Sequence, residues 1–148
     1  MSAYQHILIG LDLSTESQQI IERVKTLFAQ SSAKRSLCHV LEPISYTYGG
    51  DVPIDLTGIQ NEIETQAKRR LAEVGAELGI APADQHIAIG QPAHEMHKLA
   101  KQLDVDLIAV GSHGRHGLAL LFGSTSNSVL HGANCDVLAI RVKEPDEE

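Results

Sequence analysis

The chain has 148 residues, 43% apolar and 21% charged, and its twelve basic against nineteen acidic side chains give a formal net charge of −7. That length suits a single domain, 1–148, with one substantial core, and the composition argues against disorder and against a membrane class. The negative balance argues against nonspecific duplex binding, which needs a positive surface to displace counterions.

The N-terminus, MSAYQHILIG, has no basic segment ahead of a long apolar region, and no run approaches bilayer length, so the cytoplasm is the default location. His6 to Asp12 is a continuous apolar run stopped by an acid and reads as a first strand buried on both faces. Ser14-Thr15-Glu16-Ser17 then offers an N-cap hydroxyl, and Ile20, Ile21, Val24, Leu27 and Phe28 recur at helical spacing, predicting a first helix of about four turns. Arg35 to Leu41 predicts a second strand, ended by Glu42-Pro43. Ile44 to about Leu56 carries Pro53, Gly49-Gly50 and two tyrosines without a period, and reads as a long loop.

From Leu56 the apolar positions Ile59, Ile63, Ala67, Leu71, Val74 and Leu78 keep a spacing of three or four, so a long helix ends near Gly79. His86 to Gly90 reads as a third strand. Pro92 opens a third helix through Met96, Leu99, Ala100 and Leu103. Val105 to Gly111 reads as a fourth strand, Thr125 to His131 as a last helix, and Asp136 to Val142 as a last strand. Residues 143–148, with Glu144, Asp146, Glu147 and Glu148, read as a solvated, flexible acidic tail.

Strands alternating with helices predict a doubly wound α/β fold, a parallel sheet with helices on both faces and right-handed crossovers. Ligands of such sheets bind outside the carboxyl ends of the strands, where the winding reverses. The segments to search are therefore Gly10 to Ser14, Val40 to Pro43, Gly90, and Gly111 to Ser124. In the last of these, Gly111 and Gly114 allow positive φ or close approach to an anion. Gly123, Ser124 and Thr125 precede a helix whose free N–H groups favour phosphate, and Arg115, His113 and His116 can balance charge. The stretch is not a P-loop, because no Gly-Lys-Ser/Thr occurs, and the first turn, Gly10-Leu-Asp-Leu-Ser14, has one glycine where a dinucleotide fingerprint needs three.

These residues carry a resemblance that covers nearly the whole chain. Leu11-Asp12-Leu13-Ser14 is similar to the Val-Asp-x-Ser strand end of the universal stress protein family. Val110-Gly111-Ser112-His113-Gly114, Gly123-Ser124 and the ending Cys135-Asp136-Val137-Leu138 resemble its glycine-rich loop and last strand. The resemblance implies a five-stranded sheet in the order 3-2-1-4-5, a homodimer through the last strand, and ATP or AMP binding in many members. By position, Gly10, Leu11 and Asp12 would lie at the ribose or base and Val40 at the adenine. Val110, Gly111, Gly114, Arg115, Gly123, Ser124 and Thr125 would hold ribose and phosphates, with Mg²⁺ riding on the phosphates if it accompanies them. No member of that set is a catalytic nucleophile, and ATP hydrolysis or autophosphorylation at Ser124 or Ser126 rests on family analogy alone. Eight residues, Arg115 to Phe122, separate Gly114 from Gly123 where the family usually has nine. YQHILIGLDLS, SYTYGGDVPIDL and the acidic C-terminus also resemble the UspA-like branch, whose best-known members lack the glycines this chain keeps. The resemblance thus implies a nucleotide-binding stress-response or signalling module, with a nucleotide-free dimer that acts on a protein partner as the alternative.

Other constellations have plainer readings. His94-Glu95-Met96-His97 puts two histidines on one helical face, but it lacks HExxH spacing and a third ligand, and reads as a surface pair. Asp104 and Asp106 read as turn and cap residues at the edge away from the site. Lys68, Arg69 and Arg70 read, with Glu62, Glu64 and Glu73, as a salt-bridged exposed face. Cys38 and Cys135 fit neither a disulfide framework nor a zinc site and are expected to be buried. His39 is either buried or at the pocket edge.

Overall fold

The computed structural model describes residues 3–13, 17–41, 56–113 and 134–142. Strands β1 (His6–Gly10), β2 (Lys34–Leu41), β3 (Gln85–Ile89), β4 (Leu107–His113) and β5 (Asp136–Val142) form one sheet in the order β3-β2-β1-β4-β5. Every ladder is parallel. Helices α1 (Ser17–Leu27), α2 (Leu56–Leu78) and α3 (Pro92–Gln102) connect them, with a 3₁₀ turn at Pro82–Asp84.

Alternation along the central strands divides the core. Ile7, Ile9, Leu37, Leu107 and Ala109 pack with Ile20, Ile21 and Val24 of α1 and Ala67, Leu71 and Leu78 of α2. Leu8, Cys38, Ile108 and Val110 pack with Ala93, Met96 and Ala100 of α3. Helices on both faces follow, with the winding reversing between β1 and β4, because the chain steps outward to β2 and β3 before crossing to β4.

Several boundaries differ from the sequence reading, each for a local reason. The first strand ends at Gly10, and Leu11 to Leu13 form a turn. Helix α1 has 11 residues rather than four turns; Leu27 is 51% exposed, and Phe28, beyond the helix, gives its carbonyl to the Arg35 guanidinium. Ile59 and Ile63 on α2 are 48% and 42% exposed although their spacing predicts a buried stripe. The fourth strand starts at Leu107, because Val105 completes the end of α3 by donating to the Ala100 carbonyl at 2.9 Å. It also runs on through His113, so Gly111 sits in the ladder opposite Ile140 rather than opening a turn. The third strand begins one residue early, at Gln85, and stops at Ile89. Cys38 is buried as expected, whereas Cys135 is only half-buried. The last helix, the long loop and the acidic tail of the sequence reading lie outside the described residues.

Candidate functional site

The carboxyl edge of β2, β1 and β4 brings together Val40, Gly10, Leu11, Asp12, Val110 and Gly111. Gly114, Arg115, Gly123, Ser124 and Thr125 lie outside the described residues. Of the first group, Gly10 is a core position: a Cβ there would come within 2.6 Å of Met96 Cε and 3.2 Å of Val110 Cγ1, so the missing side chain lets α3 approach the sheet. Val110 and Gly111 are buried, and Val40 is half-buried beside the α3 core.

The turn after β1 is held atom by atom. The Leu11 amide donates to the Cys38 carbonyl at 3.0 Å, extending the β1–β2 pairing by one residue. His39 Nδ1 lies 2.7 Å from the Leu11 carbonyl oxygen; a carbonyl only accepts, so Nδ1 carries the proton. Ser17 Oγ, in the first turn of α1, donates to Asp12 Oδ1 at 2.9 Å. Leu13 is buried with φ 59, a left-handed conformation costing a non-glycine residue about 1–2 kcal/mol. Its carbonyl accepts from Arg70 Nη1 at 3.0 Å. Leu13, Ser17, Ile21, Arg70, Glu73 and Val74 line a recess of about 270 Å³ beside this turn.

Ser17, Leu13 and Arg70 were not singled out by the sequence reading of the site. Lys68 of the basic run pairs with Glu64 as expected, at 3.4 Å, but Arg70 reaches off α2 to the sheet edge. The signal was present in its spacing, four residues before the half-buried Val74, which puts Arg70 at the border of the apolar stripe. His39 is half-buried at this edge of the sheet.

The opposite edge is a structural clasp. Asp106 accepts from the Gln5 amide at 2.8 Å and the His6 amide at 3.0 Å. Buried His6 spans from the Leu103 carbonyl, 3.0 Å from Nδ1, to Ser36 Oγ, 2.8 Å from Nε2. His94 and His97 line a recess of about 400 Å³ with Lys98, Lys101, Asp104 and Cys135, and among the described residues no metal-holding group of His, Cys, Asp or Glu is found. Burial pushes the Cys38 thiol up to about 12, which makes it an inert core side chain. No helix among the described residues is long and apolar enough to cross a membrane.

The sequence profile of the Universal stress protein family matches residues 3–141. The chain belongs to the universal stress protein family. This universal stress protein is 40% identical over 143 residues to Universal stress protein A homolog 1 of Coxiella burnetii, covering 95% of this chain and 99% of the relative. It is 27% identical over 145 residues to Universal stress protein A of Escherichia coli, covering 98% and 99%. Among solved structures it is similar to hypothetical protein MJ0577, with a TM-score of 0.72 at 25% identity over 97% of this chain and 99% of that one. Universal stress protein UspA from Lactobacillus plantarum shares the fold with a TM-score of 0.71 at 23% identity over 95% and 100%. A universal stress protein in complex with cAMP shares it at 0.66 and 24% over 94% and 98%.

Proposed function

We propose that this universal stress protein is a cytoplasmic single-domain module, 1–148, that binds ATP or AMP at the carboxyl edge of β1 and β4 and acts in stress response or signalling. The observation that carries this reading is the held Asp12 turn beside the end of β4, where the sheet's winding reverses. Leu11, Asp12 and Val40 would meet the base and ribose. Asp12, a carboxylate, suits hydroxyl or amino donors and repels phosphate, so the phosphates belong on the β4 side. There Val110 and Gly111 lead into Gly114, Arg115, Gly123, Ser124 and Thr125, whose N–H groups, hydroxyls and guanidinium would hold them. Gly10 would act from behind, by admitting Met96. Mg²⁺, where ATP carries it, would bind through the phosphate oxygens. The cAMP complex of a protein with this fold supports an adenine nucleotide as the ligand class.

β5 is an edge strand, laddered only to β4 among the described residues, and a second copy covering it would give the homodimer. Titrating nucleotide-stripped protein with ATP and AMP tests the reading: binding heat and a raised Tm are expected, and neither at millimolar ligand overturns it. Light scattering on the eluted peak reads the dimer. The eight-residue spacing between Gly114 and Gly123 favours a second reading, a nucleotide-free dimer acting on a protein partner. Under that reading, a bulky residue at Gly114 leaves the stress phenotype intact.

A further inference from the structure

We propose that Arg70 of α2 is a positioning residue for the nucleotide site: by donating to the Leu13 carbonyl it holds the left-handed turn that presents Asp12. The inference rests on the nucleotide reading for its ligand, and on the geometry of the turn for everything else.

Consecutive residues of this turn are each gripped from a different element. His39 of β2 holds the Leu11 carbonyl at 2.7 Å, Ser17 of α1 holds Asp12 Oδ1 at 2.9 Å, and Arg70 of α2 holds the Leu13 carbonyl at 3.0 Å. Leucine has no intrinsic reason to adopt φ 59, and a strained residue persists only where its surroundings over-determine it. Burial of the Leu13 side chain fixes one side of that residue. The bond to its carbonyl fixes the peptide plane that follows, and with it the ψ that would otherwise relax.

Arg70 suits that task. Its guanidinium is always charged, its donors form a rigid fork, and a charge-assisted bond is stronger than a neutral one. Glu73, on the next turn of α2, lines the same recess and keeps the surroundings electrostatically compatible with a cation. The bond also ties α2 to the β1–α1 turn across 57 residues of sequence, so it couples the site to a helix outside the predicted nucleotide contacts. Ligand affinity then depends on Arg70 although Arg70 itself touches no ligand, because a preorganised turn spares binding the cost of ordering it.

The test compares wild-type, Arg70→Met, Arg70→Lys, Asp12→Asn and the Arg70→Met/Asp12→Asn double variant by AMP calorimetry, with amide exchange on the ligand-free proteins. Arg70→Met keeps the aliphatic stem and should weaken AMP about tenfold, Arg70→Lys should recover most of that loss, and the double variant should bind no more weakly than Asp12→Asn alone. In the absence of ligand, Arg70→Met should speed exchange severalfold at the turn and the start of α1 while leaving α3 unchanged. Additive losses, or equal affinity in Arg70→Met and wild-type, overturn the proposal. Wild-type protein that takes up neither AMP nor ATP overturns the nucleotide reading alone, since exchange still decides whether Arg70 holds the turn: unchanged exchange in Arg70→Met sinks the proposal in that case too.

Discussion

Gly10 and Asp104 show at the residue scale how backbone and side-chain sterics set separate limits. Against a Cβ on Gly10, the Met96 terminus at 2.6 Å can rotate away, but Val110 Cγ1 at 3.2 Å belongs to a stiff side chain in the same sheet. Overpacking of this kind costs about 1–3 kcal/mol, and the entropy gained by replacing glycine returns about 0.4–1 kcal/mol. Gly10→Ala should therefore destabilise by about 1–2 kcal/mol in urea unfolding. The loss should be smaller in a Val110→Ala background, where the stiff clash partner is gone; a purely additive cycle would show that Val110 is not the obstacle. The second case concerns the helix ends. α2 and α3 close alike: Ile80 donates to the Gly75 carbonyl at 2.8 Å after Gly79 at φ 71, and Val105 donates to the Ala100 carbonyl at 2.9 Å after Asp104 at φ 55. Both are Schellman closures, with glycine at the left-handed position in one and an exposed aspartate in the other. Asp104→Gly should stabilise by a few tenths to about 1 kcal/mol, read as a raised urea midpoint at unchanged slope.

Helix α2 shows at the scale of elements why periodicity alone misplaces burial. Its 23 residues span about 34 Å. Strand β3 beside it has 5 residues, about 17 Å. The helix outruns the strand, so Ala67, Leu71 and Leu78 meet the sheet while Ile59 and Ile63, on the same stripe, stay exposed. Leu71→Ala should accordingly cost about 2–5 kcal/mol, and Ile63→Ala within about 0.5 kcal/mol, a contrast that thermal unfolding of the two variants checks directly. Nothing in the spacing distinguishes Ile63 from Leu71; the length of a neighbouring strand does. The strands and the helices on both faces were legible, because buried parallel strands read as apolar runs and Gly and Pro mark their ends; the sheet order was implied by the family resemblance alone. The start of β4 was not, because Val105 is buried for the sake of the α3 closure and looks like a strand residue for that reason. Within the candidate site, Asp12 was legible from its place after an apolar run. The grip of Arg70 was not, because a long polar side chain leaves no trace in the sequence of which carbonyl it reaches.

At the scale of the whole molecule the sheet is closed along its amino edge by groups that respond to acid. His86 on β3 has its imidazole held below the usual range, first by burial, with Asp84 opposing and His6 and Lys34 adding to the effect. Its buried Nε2 finds no hydrogen-bond partner among the described residues. Asp106, between α3 and β4, is disfavoured as an anion by burial, yet the amides of Gln5 and His6 outweigh that and hold its carboxyl below the ordinary 3.8. The signs of the two contributions agree. A histidine depressed in the folded state binds fewer protons folded than unfolded, so stability falls as pH drops below 6.5 and continues falling until the folded group is itself protonated. A depressed aspartate contributes stability above 3.8 that is lost as pH falls through its folded value. Unfolding free energy measured in urea from pH 8 to pH 3 should thus decline in two stages, one beginning near 6.5 and one below 3.8. Replacing His86 by Gln should remove the His86 part of the first stage and leave the second, whereas Asp106→Asn should flatten the second and leave the first. His86 lies on β3 and Asp106 between α3 and β4, but both interact with His6, so the double variant measures how far their effects couple through it. A wild-type profile that matches the His86→Gln profile between pH 7 and pH 5 would show that the half-buried imidazole is protonated as readily in the fold as in water, and that the amino edge of the sheet does not sense acid through it.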